Sequence, residues 1–410
     1  MGENQAGNDL RVKILLLNDM GAPHGGAELL TLSLRAGLRE RGHDARLFAS
    51  SAGSEAGPSE ADYTCFGTTS HLRSLNRVVN LSAPLRLRQA LREFQPDVVH
   101  VRMFLSQLSP LILPLLRRVP TLYHATLSET ICPTGLKMLP DGSACHQPCG
   151  TVCLRNGCLS RRAWAPLMLQ QKLWRRWRDA FDLIVANSAS MRDRLLENGI
   201  GPVEVLWNGV PVVPARPPLT GPPTVTCAGR LSREKGLDVL IRAFGAVVET
   251  IPAARLLIAG SGPEQEPLQR LVHELRLDPK VRIMGQMSMQ EMECAFSTGW
   301  VHAVPSRVEE SFGLTAAEAM MRGTAVVASN AGGLAEITVD GETGLLVPPG
   351  DAVALADSLL RVLSNRDLAE QWGRNARRHA MLQMDRERWI DGLVNFYHHL
   401  TSGRQMHRDA

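Results

Sequence analysis

No apolar run in this 410-residue chain approaches the ~20 residues that a membrane-spanning helix needs. Residues 1–9 lack a basic segment followed by an apolar core, so a secretory leader is not expected either. The expectation is a cytoplasmic protein whose eight cysteines stay reduced, and clustered thiols then point to metal before disulfides. Lysine is scarce. Lys13, Lys137, Lys172, Lys235 and Lys280 are the only ones among 45 basic side chains, and in so arginine-rich a chain a lysine marks a place for a compact, flexible charge. Excess charge is missing as well: 45 basic against 41 acidic residues leave a net +4, which does not favour a nucleic-acid partner. The first strand-to-helix turn has no G-x-G-x-x-G fingerprint, which disfavours NAD-type dinucleotides.

What is present is alternation. Apolar runs at residues 12–18, 45–49, 98–102, 121–124, 183–186 and 203–206 read as buried strands separated by helical segments. Pro211, Pro214, Pro217, Pro218, Pro222 and Pro223 then crowd a stretch that can be neither core helix nor central strand. The alternation restarts with strands at 225–229, 255–259, 281–284, 301–304 and 325–328. A chain of this length exceeds one hydrophobic core. The pattern predicts an α/β protein of two Rossmann-like, doubly wound parallel-sheet domains facing a cleft. They occupy residues 1–208 and 224–385, joined by a Pro-rich linker at 209–223.

The densest chemistry lies between residues 304 and 349. Pro305-Ser306-Arg307-Val308-Glu309-Glu310-Ser311-Phe312-Gly313-Leu314 leads into a helix carrying Glu318. One carboxylate in the loop and one in the helix can flank a single ligand. The backbone N–H groups of Ser311, Phe312, Gly313 and Leu314, at a helix N-terminus, suit a phosphate. Hydroxyls and phosphate on one ligand describe a nucleotide sugar. Upstream, the turn Gly229-Arg230-Leu231-Ser232-Arg233-Glu234-Lys235-Gly236 follows a strand, and Arg230 and Lys235 would neutralise a departing diphosphate. Glu318 sits among Ala316, Ala317, Ala319 and Met320, and a charge in so apolar a helix needs a partner.

The Glu-x7-Glu spacing of Glu310 and Glu318 resembles the signature of retaining GT-B glycosyltransferases of family 4, also called glycosyl transferases group 1. The resemblance extends over nearly the whole chain and is most specific in the second half. It implies that Glu318 accepts hydrogen bonds from the ribose and that Glu310, rather than its neighbour Glu309, holds the transferred sugar. It places Gly229 beside the nucleotide, Met284-Gly285 against its base, and Gly25-Gly26 across the cleft near the donor phosphate, followed by Glu28. His124, at a strand's carboxyl end, matches the family's active-site histidine, with His100 a secondary acceptor-side candidate. Residues 386–410 are expected to cross back to the first domain as a helix.

The implied activity is hexosyl transfer with retention from an NDP-sugar, with UDP or GDP as the nucleotide, to a glycan, lipid-linked or small-molecule hydroxyl. That chemistry fits cell-envelope polysaccharide synthesis. No cofactor is expected for catalysis, because no Asp-x-Asp stands at a strand end to hold a divalent ion. Sugar-nucleotide epimerases and phosphorylases share the architecture and stay open as alternatives.

Two further features stand apart. Cys132, Cys145, Cys149, Cys153 and Cys158, with His146 among them, fall in an insertion at 130–160. Their spacings suit a structural zinc, although no C-x2-C pair is present, with disulfides or unpaired thiols as alternatives. Basic residues mix with tryptophans at 160–179 and with leucines at 71–92, which suits peripheral contact with the inner leaflet of a membrane. A non-enzymatic reading, a zinc-dependent nucleic-acid-binding protein, would use the same cysteines and arginines but leaves Glu310 and Glu318 unexplained.

Overall fold

The computed structural model describes residues 11–23, 25–53, 58–70 and 73–408. Residues 1–9, His24 and residues 71–72, which entered the sequence reading, lie outside them. The first sheet contains β1 (Lys13–Met20), β2 (Asp44–Ser50), β3 (Tyr63–Cys65), β4 (Val98–Val101), β5 (Thr121–Ala125), β6 (Leu183–Ala186) and β7 (Glu204–Val205). It is seven-stranded, in the order β3-β2-β1-β4-β5-β6-β7, with every pairing parallel. The second sheet contains β8 (Thr224–Ala228), β9 (Arg255–Ala259), β10 (Val281–Ile283), β11 (Val301–Val304), β12 (Ala325–Ser329) and β13 (Gly344–Val347). Its six parallel strands run β10-β9-β8-β11-β12-β13.

β1 shows why these segments became strands. Leu15 and Leu17 point to one face, packing with Phe104 and Trp174, while Ile14 and Leu16 point to the other, packing with Leu34 and Tyr397. A strand covered on both faces is apolar without interruption. Tyr397 belongs to the last helix, Arg386–Arg408, which buries Trp389, Ile390, Leu393 and Tyr397 in the core of the first domain. Each such side chain contributes about 1.5–3 kcal/mol, so this helix is an integral layer of that domain.

Strand order reverses between β1 and β4 in one sheet and between β8 and β11 in the other. At such points the following loops diverge and leave a crevice at the carboxyl ends. Two edge strands had no counterpart in the sequence reading: β3 is only three residues long, and β13 follows the turn Gly341-Glu342-Thr343 within the signature loop.

Candidate active site at the domain interface

The loop after β11 is fixed by its backbone. Glu310 pairs with Gly332 in an isolated parallel bridge, and the Gly333 N–H donates to the Glu310 carbonyl at 2.8 Å. Gly332 has φ of 60°, and a Cβ there would stand 2.3 Å from that carbonyl oxygen, so the approach requires glycine. Phe312 is buried among Ala316, Met320, Leu334 and Ile337, and Gly313 caps the helix Leu314–Arg322. The loop is thereby rigid where a ligand's phosphate would meet it.

Lys235 Nζ donates to Glu310 Oε1 at 2.6 Å, and Ser306 Oγ donates to the same oxygen at 2.5 Å. The lysine is brought there by the turn Arg233–Lys235, whose closing Gly236 lies against the Pro305 carbonyl, 2.1 Å from where a Cβ would be. Burial opposes ionisation of both partners, but mutual attraction outweighs it. The Lys235 pKa is raised and that of Glu310 lowered, so the pair is fully ionised at neutral pH. Glu318, one helical stretch further on, is pushed the other way: burial raises its pKa, offset only partly by the Arg322 charge. The two glutamates therefore differ in charge affinity, as groups with different tasks do.

Arg230, by contrast, is exposed. Gly229, Gly260 and Gly285 lie side by side at the ends of β8, β9 and β10, with Gly229 N–H bonding the Ala259 carbonyl and Gly260 N–H the Gly285 carbonyl at 2.7 Å. Met284 beside them is half-buried. From the first domain, Gly25 caps the helix Gly26–Glu40, and a Cβ on Gly26 would lie 3.3 Å from Leu314 Cδ1. The first strand–helix turn thus faces the donor loop across the cleft.

His124, next to last in β5, has no exposure. Its ring stacks on His100 at 5.5 Å, its Nδ1 lies 3.4 Å from Arg102 Nη1, and Nε2 has no hydrogen-bond partner. Burial first, then the charge of Arg102, holds its pKa well below the ordinary value, so the imidazole is neutral. His100 is tied by Nδ1 to the Tyr397 hydroxyl at 2.6 Å. That bond makes it an anchor for the last helix.

Sequence reasoning missed the groups that hold the domains together. Glu336 accepts from the N–H groups of Ala189 and Ser190, at 2.9 and 2.6 Å, at the start of the helix Ala189–Glu197. Arg194 on that helix bonds Glu309, and Arg233 Nη1 donates to the Pro140 carbonyl at 2.7 Å. Arg102 was also passed over, although a charge ending the apolar run Val98-Val99-His100-Val101 was a visible signal.

The cysteine reading needs correction. Cys132, Cys145, Cys149, Cys153 and Cys158 line one small cavity together with Lys137 and Met138. They do not form a ligand set: all are free thiols, and among the described residues no group of three or more His, Cys, Asp or Glu side chains can hold a metal ion. Cys132 Sγ instead meets Thr134 Oγ1, and Cys149 Sγ accepts from Arg175. His146 turns to Arg194 Nη2 at 2.7 Å. Burial pushes the thiols of Cys149 and Cys158 up.

Two family models match the chain. "Glycosyltransferase Family 4" covers residues 24–213 and "Glycosyl transferases group 1" covers residues 213–379. Glycogen synthase of Mycobacterium tuberculosis is 33% identical over 211 residues, 50% of this chain and 51% of that protein. The chain thus spans about half the length of such curated relatives. Sucrose-phosphate synthase from Thermosynechococcus elongatus superposes over 96% of this chain and all of its own, with a TM-score of 0.73 at 22% identity. Anabaena HepE, in complex with UDP and glucose, superposes over 94% of this chain and 99% of its own, at TM-score 0.69 and 21% identity. The fold is GT-B, and the chain belongs to glycosyltransferase family 4.

Proposed function

We propose that this protein transfers a hexose from an NDP-sugar, with UDP or GDP as the nucleotide, to a hydroxyl acceptor with retention of configuration. The observation that carries the reading is the Lys235–Glu310 ion pair, 2.6 Å long, set at the N-terminal end of the helix that bears Glu318. An ammonium held in reserve by a carboxylate is suited to shift onto a leaving diphosphate, freeing Glu310 for the sugar hydroxyls. Exposed Arg230 adds a second cation at the same strand ends. Glu318 then takes the ribose, and the loop at Met284-Gly285 the base.

His124 is assigned to the sugar from the first domain, a contact that requires its buried, unpartnered Nε2 to be uncovered. The diphosphate's own oxygen can receive the acceptor proton, so no separate carboxylate base is required, and the two cations stand in for a divalent ion. HepE, solved with UDP and glucose, supports a nucleotide-sugar donor. Among the described residues no helix is long and apolar enough to cross a membrane. A surface contact with lipid is supported by Leu81 and Leu85, exposed beside Arg86, Arg88 and Arg92 on the helix Ser82–Phe94. The tryptophans of the helix Arg161–Arg176 and its end do not serve it: Trp174 is buried and Trp164 and Trp177 are half-buried.

A thermal-shift screen of UDP-, GDP- and ADP-sugars, followed by product analysis with added hydroxyl acceptors, tests the proposal. A true donor well above its Kd should stabilise the chain by roughly 2–4 kcal/mol. Epimer or sugar phosphate in place of glycoside would overturn it.

A further inference from the structure

Arg102 is a buried cation of the first domain, whereas Arg230 and Lys235, assigned to the donor diphosphate, belong to the second. The alternation along β4 continues through it. His100 pairs with Leu122 of β5 and Val101 with Tyr123, so Arg102 and His124 come side by side on one face. The last helix covers that face, since Val98 and Leu122 pack there with Trp389 and Tyr397. The Arg102 N–H donates to the Leu17 carbonyl of β1 at 2.9 Å, and its guanidinium carbon lies 5.7 Å from the Trp389 ring, within cation–π reach. Burial draws the Arg102 pKa down to about 10, opposed through space by Tyr397 and Glu28. The group remains a cation at neutral pH.

A guanidinium carries donors only, and a neutral imidazole carries one donor and one acceptor. Arg102 Nη1 donates to His124 Nδ1 at 3.4 Å, so Nδ1 is the acceptor and the ring's single proton belongs to Nε2. A second proton, on Nδ1, would set N–H against N–H and cation against cation. Burial, then Arg102, then His100 hold the His124 pKa well below its ordinary value, in keeping with that geometry. The rings around it are uncharged. His100 stacks on it at 5.5 Å, is itself neutral and is tied to the Tyr397 hydroxyl, and Trp389 stands 6.4 Å away. Nε2 is thus a donor, and it has no partner among the described residues. A buried donor left open is costly unless a ligand oxygen completes it.

We infer that Arg102 is a positioning residue: it fixes the His124 proton on Nε2, so that the ring, once uncovered, meets the transferred sugar as a hydrogen-bond donor and not as a base. This deepens the proposed sugar transfer and rests on it. The two agree, because the acceptor proton goes to a diphosphate oxygen and a base at this place has no task. The ring donates instead to an oxygen of the sugar and orients it in the cleft.

The test is a long-range proton–nitrogen correlation spectrum of the full chain, isotope-labelled on its histidine ring nitrogens, with His124→Gln identifying the signal. The wild-type ring should carry its proton on Nε2 and should not titrate between about pH 5 and 8, where a free histidine changes charge. In Arg102→Met the ring should become a mixture of the two neutral forms. The kcat of that variant should fall about tenfold, the scale of one hydrogen bond, with nucleoside diphosphate affinity unchanged. A wild-type proton on Nδ1, or a doubly protonated wild-type ring at neutral pH, overturns the inference even if Arg102→Met does not fold. An unaltered ring signature or an undiminished kcat in Arg102→Met overturns it as well. Wild type that turns over no NDP-sugar would instead remove the transfer reading, while the ring spectrum still decides what Arg102 does to His124.

Discussion

Arg194, on the first domain, bonds Glu309 of the second domain at two points: Nε donates to Oε2 at 2.7 Å, and Nη2 donates to the other carboxylate oxygen. Glu309 is the immediate neighbour of Glu310, so the contact that joins the domains also restrains the loop that would hold the sugar. Nη2 also meets His146, which ties the cysteine-bearing insertion to the same point.

Arg194→Ala and Glu309→Ala should each raise the donor KM severalfold. A double-mutant cycle should give a coupling on the order of 1 kcal/mol, as for ion pairs in contact. The Arg194 hydrogen bond chiefly lowers the Glu309 pKa, against burial. The bridge's contribution is therefore present above the ordinary carboxylate pKa and is lost as pH falls through the lower, folded value. Donor KM measured from pH 7 downward should stay flat until below the usual carboxylate range; a rise beginning near pH 6 would contradict this.

Glu318→Gln should weaken nucleoside diphosphate binding by about 1.5–3 kcal/mol, the range for hydrogen bonds to a charged group. Burial raises the Glu318 pKa, and ribose hydroxyls would favour the ionised form. Binding therefore releases a proton, and affinity should increase with pH through the acid range up to that raised pKa, then level off. Calorimetry in buffers of different ionisation enthalpy measures the proton, which should be absent in Glu318→Gln.

Glu310→Gln should lose transfer yet bind the free nucleoside diphosphate as well as wild type or better, because Lys235 is released from its partner. Equal loss of diphosphate affinity in the Glu310 and Glu318 variants would refute the division of roles.

Lys235→Ala should reduce kcat/KM by about 2–4 kcal/mol, the usual scale for a donor to developing negative charge. Activity should persist in EDTA; a strict need for Mg²⁺ or Mn²⁺ would show that the two cations do not suffice.

Vesicles rich in anionic phospholipid should co-sediment with the chain at low salt. Leu81→Asp and Leu85→Asp should release it, since those side chains are 66% and 70% exposed. Unchanged sedimentation in both would place any lipid contact elsewhere.

The fold was legible because strands of a covered parallel sheet, such as Leu15-Leu16-Leu17, are unbroken apolar runs, and because prolines mark the change of domain. β3 and β13 escaped because short edge strands carry little pattern of their own. Within the site, Glu310 and Glu318 belong to one local motif, so spacing alone singled them out. Glu336 and Ala189 are 147 positions apart, and nothing local to either announces their bond. Cysteine spacing suited a structural zinc, but sulfur direction depends on the backbone path of the insertion, which spacing does not encode.

The last helix has a consequence for how the halves move. The chain passes between them twice, once after β7 and again near Met384, and the two passages are bonded side by side: Val210 N–H to the Met384 carbonyl at 2.8 Å and Arg386 N–H to the Val210 carbonyl at 3.1 Å. One tether would allow one lobe to swivel freely on the other. Two tethers clasped at a common point behave like the spine of a book, favouring rotation about a single axis. Opening would then part Arg194 from Glu309 at the far margin, while the pages stay in register for the next closure.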